Sequence, residues 1–403
     1  MRPVVLIFCG CYLPGVHGGG PIRTISNLVE KLGDEFDFRI VTMDRDFGDQ
    51  SPYQNVKFNT WCPVGKALVF YASSEYRSLV GFSRLITNTQ YDVLYLNSFF
   101  NVGFTLLPML ARWLGLVPLR PVIIAPRGEF SKGALGIKSW KKNPYIRLVM
   151  KFGLFKGVIW QASSNYELSD IELVIRKYSD DPVYVAQNFT VHGGDGTKVD
   201  NQPIITDKSL GRHPRVLKIC FLSRIAPMKN LDYVLRVLAN VKSNVSLSIY
   251  GPRESSSYWS ECEALIRLLP QNIKVSYGGT VKNSLVRSVI AENDLFFVPS
   301  RGENFGHVFV EAFSSGVPVL VSDKTPWRSL SEKNIGWDVS LDSMNEFSRI
   351  IEMMANFDEG KRSLMRTACI KYAHDISEDN VTLEMNRGLF QAAINNQIKP
   401  VKK

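Results

Sequence analysis

The chain has 403 residues, 45% apolar and 21% charged, with a formal net charge of +10 and a mean hydropathy of -0.05. At roughly 150 residues per domain this implies two or three globular domains with sizeable cores, and it excludes a largely disordered chain. No window reaches the ~20 apolar residues of a membrane-spanning helix, and Cys9, Cys11, Cys62, Cys220, Cys262 and Cys369 lack both a C-x-x-C pair and metal-ligand spacing, as expected of reduced core thiols in a cytosolic protein.

The N-terminal run MRPVVLIFCGCYLPG has one arginine ahead of apolar residues, like a short secretory leader. Its basic region is minimal, no A-x-A-like site follows, and it ends in Pro14, Gly15 and a glycine cluster, so a β-strand is expected. Next comes YLPGVHGGGPIRT, which sets Gly18, Gly19 and Gly20 before the helical pattern IRTISNLVEKL, with Pro21 suited to the first helical position. Glycines let backbone approach an anion, and a helix N-terminus offers free N–H groups to a phosphate. The loop matches neither the P-loop nor the dinucleotide fingerprint, and an unliganded turn explains it equally well.

The strand FRIVTM leads to Asp44-Arg45-Asp46, a D-x-D triplet of the kind metal-dependent transferases of another fold carry; an acid pair after a strand is expected to be solvated instead. Further on, DVLYLN and PVIIAP continue an alternation of apolar strands with helical patterns, which predicts a parallel sheet covered on both faces, a doubly wound α/β domain. Between Arg127 and Lys156 stand eight basic residues and one acid, so a net +7 of the chain's +10 falls in thirty residues. The stretch IKSWKKNPYIRLVMKFGLFK mixes Trp140, Tyr145, Leu148, Phe152 and Phe155 with these cations. No nucleic-acid-binding motif accompanies it, and an anionic membrane surface meeting residues 137–156 is the expected partner. Pro144 suggests two short helices there rather than one. An ordinary basic domain face is the competing reading.

From about Val191 to Pro214 the chain is rich in glycine, charge and turn formers, which marks a linker. The alternation restarts with VLKICFLSR, a helix from about Leu231 to Val241, VSLSIYG, a helix around Glu261 to Leu269, IKVSYGG, DLFFVPS and VPVLVSD. Expected domains are residues 1–192, a linker 193–213, residues 214–376, and a C-terminal helix in 377–403 that closes the second domain or crosses back to the first.

In a doubly wound sheet, ligands lie beyond the carboxyl ends of the strands. FLSRIAPMKN puts Arg224 and Lys229 there, a fork and a mobile point charge suited to a diphosphate, although two solvated cations would read the same way. In SRGENFGHVFVEAFSSGVPVLVSD, Glu303 falls in a loop and Glu311 on a helix that starts near Phe305 or Gly306 and stops at Gly316. The amides of Asn304, Phe305 and Gly306 could cradle phosphate, and a carboxylate can accept both hydroxyls of a ribose. A capping Glu303 and a solvated Glu311 are the plainer alternative, less comfortable for Glu311 among Val308, Phe309, Val310, Ala312 and Phe313. The dispersed histidines (His17, His192, His213, His307, His374) make a histidine-based metal site improbable.

Together, SRIAPMKN, LSIYG, YGG, DLFFVPS and GENFGHVFVEAFSSGVPVLVSD resemble the nucleotide-binding half of a family 4 retaining glycosyltransferase of GT-B fold, two Rossmann-like domains facing across a cleft. The glycine-rich first loop, APRGEF and ASSNYE resemble its acceptor half. The resemblance implies that Arg224 and Lys229 hold the donor diphosphate and Glu311 the ribose. Glu303, with the amides of Asn304 to Gly306, would hold the transferred sugar and its phosphates, while Gly18, Gly19 and Gly20 approach the diphosphate from the other domain. It implies a nucleotide diphosphate-sugar donor, a glycan or lipid-linked acceptor for a surface polysaccharide, no metal or cofactor, and a cytoplasmic enzyme peripheral to the inner membrane face. Two positions depart from the family pattern: where many relatives carry a histidine, this chain has Asn97 and Arg127 as candidate sugar contacts, and Ser223 replaces the usual glycine before the arginine. A non-catalytic nucleotide-sugar-binding protein of the same fold, or a sugar phosphorylase or epimerase, are the competing readings.

Overall fold

The structure, a computed structural model, describes residues 2–16, 18–190 and 216–395. The expected linker 193–213 and the histidines His17, His192 and His213 lie outside the described residues. Contacts divide the chain into two units: Met1–Phe189 with Gly302–Phe305 and Asp379–Lys403, and Thr190–Arg301 with Gly306–Glu378.

Unit 1 holds strands β1 (Val4–Phe8), β2 (Asp37–Met43), β3 (Trp61–Val64), β4 (Ala67–Ala72), β5 (Val93–Asn97), β6 (Val122–Ala125), β7 (Ile159–Ala162) and β8 (Val183–Val185). Their order is β3-β4-β2-β1-β5-β6-β7-β8, parallel except for the antiparallel β3–β4 pair. Helices α1 (Gly20–Leu32), α2 (Leu79–Asn88), α3 (Leu107–Trp113), α4 (Lys132–Gly136), α5 (Ser139–Lys151) and α6 (Asn165–Ile175) connect them. The first apolar run is indeed a strand, central in the sheet. Its two-residue period sends Leu6 and Phe8 into one core and Val5 and Ile7 into another, which is why it reads as continuously apolar. The first core also takes Ile86 of α2, Met109 of α3, Ile146 and Val149 of α5, and Ile171 of α6, so these four helices share one face of the sheet.

One expectation is corrected here. Helix α5 runs through Pro144 without breaking. Proline removes one backbone hydrogen bond, and Pro144 is exposed, so the carbonyl left without its donor is on the solvent side and water can replace it. A separate short helix, α4, precedes it, capped by Ser131, whose Oγ accepts the Ala134 N–H at 3.2 Å.

Unit 2 holds β9 (Leu217–Leu222), β10 (Val245–Tyr250), β11 (Ile273–Tyr277), β12 (Leu295–Val298), β13 (Val319–Ser322) and β14 (Gly336–Val339), all parallel, in the order β11-β10-β9-β12-β13-β14. Its helices are α7 (Leu231–Leu238), α8 (Ser256–Arg267), α9 (Val286–Ala291), α10 (His307–Ser314), α11 (Met344–Ala355) and α12 (Glu359–Ser377). Helix α8 starts five residues before the expected Glu261, because Ser255 Oγ caps it by accepting the Tyr258 N–H at 3.3 Å.

The last helix, α13 (Asn380–Asn395), belongs to unit 1. Leu389, Phe390 and Ala393 enter its second core beside Ile25 and Val29 of α1, and Asn386 Nδ2 donates to the Gln187 carbonyl at 2.8 Å.

Candidate functional site

In unit 2 the chain leaves β9 toward β10 on one side and β12 toward β13 on the other, so the carboxyl ends of the adjacent β9 and β12 form a topological switch point. The loop after β9 carries exposed Arg224 and half-buried Lys229, the latter closing a single 3-10 turn, Pro227–Lys229. Ser223 is absent from the described residues with left-handed φ, so serine fits there without backbone strain. The loop after β10 lies directly against it: Gly251 has φ +132°, and a Cβ added there would stand 1.8 Å from the Ser223 carbonyl oxygen. The Ile225 N–H donates to the Pro252 carbonyl at 2.9 Å. This approach brings Glu254 to Arg224, with Oε1 2.5 Å from Nη1. Gly251→Ala is therefore expected to cost at least about 1 kcal/mol of stability in unit 2, as urea unfolding would show.

The loop after β12 is stitched to the same place. Asn230, in the left-handed region at φ 65°, donates from Nδ2 to the Pro299 carbonyl at 3.0 Å. Arg301 donates from Nε to Asn230 Oδ1 at 2.8 Å and from its backbone to the Met228 carbonyl at 2.8 Å, and its Nη2 lies 3.4 Å from Asp232. Sequence reasoning missed Arg301 and Glu254. The clue for Arg301 was a cation two positions before Glu303; for Glu254 it was an acid just after the glycine that ends β10. Helix α10 begins at His307, with Gly306 as its N-cap at φ 75°, one or two residues later than expected. Glu311 is half-buried on it between buried Val310 and Ala312, and the helix stops at Gly316, φ 70°.

Unit 1 has its own switch point, between β1 and β5. Gly19 is the N-cap of α1 at φ 57°, with Gly18 before it and Gly20 as the first helical residue. The acid pair corrects an expectation: Asp44 and Asp46 are 3% and 5% exposed, not solvated. Asp44 pairs with Arg45 at 2.9 Å and lies 3.9 Å from Arg77, while Asp46 accepts the Val16 N–H at 2.6 Å and braces the glycine-rich loop.

Asn97, at the end of β5, and Arg127, in the loop after β6, are in contact. Arg127 Nε donates to Asn97 Oδ1 at 2.7 Å, Nη1 donates to Asn188 Oδ1 at 2.5 Å, and Nη2 donates to the Tyr95 hydroxyl. Tyr95 in turn donates to Gln161 Oε1 at 2.6 Å. The guanidinium is thus oriented by neutral oxygens, which leaves its charge available to an anionic or hydroxyl-rich ligand.

Two carboxylates shape the loops around it. Glu129 accepts the Ser98 hydroxyl at 2.7 Å and the N–H groups of Phe99 and Phe100; burial pushes its carboxyl above the ordinary range against these donors. Glu167, 5% exposed, accepts the Gly128 N–H at 2.5 Å and the Ser163 N–H at 2.8 Å. Residues 302–305 group with this unit, and Asn304 Oδ1 lies 2.6 Å from the Ser163 hydroxyl. Glu303, Asn304 and Phe305 therefore belong to unit 1, whereas Gly306, Glu311, Arg224 and Lys229 belong to unit 2.

On α5 and its C-cap Phe152, exposed Trp140, Leu148 and Phe152 alternate with exposed Lys141, Arg147 and Lys151, at spacings that share one helix face. Among the described residues no helix is long and apolar enough to cross a membrane.

Residues 205–373 match the family model of glycosyl transferases group 1. An uncharacterized 41.2 kDa protein in the cps region of Klebsiella pneumoniae is 27% identical over 70% of this chain and 74% of its own length. A D-inositol 3-phosphate glycosyltransferase of Rhodococcus erythropolis is 32% identical, over 28% of each chain. Among solved structures, Anabaena Alr3699/HepE in complex with UDP and glucose superposes with a TM-score of 0.66 at 14% identity, covering 97% of this chain and 99% of that one. WaaG, a glycosyltransferase involved in lipopolysaccharide biosynthesis, gives a TM-score of 0.62 at 13% identity, covering 96% of this chain and 98% of that one. The fold is GT-B, and the chain carries a glycosyl transferases group 1 domain.

Proposed function

We propose that this chain transfers a sugar, with retention, from a nucleotide diphosphate-sugar to a glycan or lipid-linked acceptor during synthesis of a surface polysaccharide. The observation that carries the reading is the unit 2 switch point: Arg224 and Lys229 stand in the loop after β9, and Glu311 on the helix after β12, within the segment that matches glycosyl transferases group 1. In this scheme the two cations stabilise the leaving nucleoside diphosphate, Glu311 accepts the ribose hydroxyls, and the donor phosphate assists the acceptor hydroxyl on the same face. Glu303 and the amides of Asn304 to Gly306 serve the transferred sugar, and the Gly18 to Gly20 loop approaches the diphosphate. Arg127, oriented by Asn97, serves the acceptor. No step calls for a metal or cofactor. The polysaccharide setting draws on the Klebsiella relative in its cps region.

We further propose a cytoplasmic enzyme that meets the anionic inner membrane surface through residues 137–156, where the cationic face of α5 adds about 1 kcal/mol per basic residue near the lipid.

A thermal-shift screen against UDP-, GDP-, ADP- and dTDP-sugars tests the donor class. Ligand at about 100 times its Kd adds about 2.7 kcal/mol, so one nucleotide family should raise the melting temperature, and Glu311→Ala should abolish the rise. Donor supplied without acceptor should be left unchanged; its conversion to a different nucleotide-sugar would favour an epimerase, formation of a sugar phosphate only when inorganic phosphate is added would favour a phosphorylase, and no shift with any donor would favour a binding protein. Glu254 competes with the diphosphate for Arg224, so Glu254→Gln is expected to tighten nucleotide binding by a few-fold, in line with the ~0–1 kcal/mol of an exposed ion pair. Weaker binding in that variant would make Glu254 an aid to donor binding instead.

A further inference from the structure

The segment WLGLVPL, residues 113–119, leaves four large apolar side chains in water: Trp113 52%, Leu114 48%, Leu116 49% and Leu119 62% exposed. The loop itself is anchored. Val117 is buried in the core, the Tyr91 hydroxyl reaches the Pro118 carbonyl at 3.4 Å, and the Thr87 hydroxyl reaches the Leu116 carbonyl at 3.4 Å. These four side chains are therefore held outward by a fixed backbone, which is the arrangement an apolar partner needs and water does not.

The neighbourhood says which partner. The loop feeds β6 and the turn after α5 feeds β7, adjacent parallel strands, so both reach the amino edge of one sheet, and α3 and α5 cover the same face of it. Arg112 Nη1 donates to the Lys156 carbonyl at 3.5 Å, which sets Trp113 near the end of α5 with its exposed Lys151, Phe152 and Lys156. Asp181 at this edge is tied down by the Gly157 N–H at 3.0 Å and the Ser179 hydroxyl at 2.9 Å. An uncharged apolar tip bordered by cations complements an anionic phospholipid bilayer, apolar below its head groups and negative at them.

We propose that residues 113–119 are a second membrane contact, which inserts Trp113, Leu114, Leu116 and Leu119 into the head-group boundary while the cations of α5 bind the lipid charges. This rests on the membrane reading of residues 137–156 and divides the attachment in two: α5 supplies a salt-sensitive part and the loop a salt-resistant one.

The test is flotation of the full chain with phosphatidylcholine vesicles containing or lacking phosphatidylglycerol, at low salt and at about 1 M, where charges are screened beyond about 3 Å. Wild type is expected to float with the anionic vesicles and to retain part of that binding at high salt. The variant Trp113→Ser/Leu119→Ser should float at low salt only, and Lys141→Gln/Lys151→Gln should lose the salt-sensitive part of the binding while keeping the part that survives high salt; nucleotide affinity and melting temperature, unchanged in both, serve as folding controls. Equal salt-resistant binding by wild type and the loop variant would overturn this inference while leaving the α5 reading in place. Wild type floating with neither vesicle would overturn both. A dimer of wild type that the loop variant dissociates would overturn it in favour of a second copy of the chain.

Discussion

Phe390→Ala is expected to destabilise unit 1 by about 3–5 kcal/mol, the usual cost of emptying a large aromatic site in a closed core. Phe390 is 1% exposed, and its ring lies 5.3 Å from Phe36, 6.1 Å from Phe38 and 5.8 Å from Tyr95, centroid to centroid. Helix α13 follows unit 2 in the chain, so the location of the loss is the informative outcome. Hydrogen exchange across a urea series should show β1, β2 and β5 opening earlier while β9 to β14 keep their midpoint. A loss confined to unit 2 would mean that α13 packs there instead.

A smaller, pH-dependent contribution accompanies it. Arg387 donates to both carboxylate oxygens of Glu35, at 2.7 and 2.6 Å, and these bonds, with its charge, hold that carboxyl below its ordinary value of 4.5. A depressed folded pKa gives stability that is present above the ordinary value and lost as the pH falls through the folded one. Arg387→Ala should flatten the acid limb of unit 1 stability by lowering its neutral-pH end, by little because the pair is partly exposed and screened, and leave stability below the folded pKa unchanged.

Lys229→Ala and Arg224→Ala are each expected to weaken nucleotide diphosphate binding by about 1.5–3 kcal/mol, the worth of hydrogen bonds to a charged group, or roughly 10- to 150-fold in Kd. Arg224 should fall at the lower end, since in the wild type it must give up Glu254 to take the phosphate. Glu311→Ala should weaken binding as well, by removing the acceptor for the ribose hydroxyls. Calorimetric titration of the nucleotide identified by the thermal screen measures all three. Unchanged affinity in every variant would place the donor somewhere other than the β9–β12 switch point.

The switch point itself was legible because its markers are local. A strand followed within two residues by Arg224, and a helix that stops at Gly316, announce themselves within a dozen residues. The β3–β4 hairpin was not, since WCPV carries a proline in a short edge strand and its two-residue turn is Gly65-Lys66, φ 58° at the glycine, rather than the Asn-Gly or Asp-Gly that announces a hairpin. Pro144 misled for a related reason: its effect on a helix depends on which face of the unit it occupies, and exposure is not encoded in spacing.

By itself the sequence determined the alternation of strand and helix, the two-unit α/β organisation and the residue types at the strand ends, because these follow from period, glycine and proline over short spans. The tertiary structure alone decided partnership. It joined Glu254 to Arg224 across 30 residues, Arg301 to Asn230 across 71, and Arg387 to Glu35 across 352. Strand order and the close approach allowed by Gly251 bring such residues together, and neither leaves a trace in local periodicity.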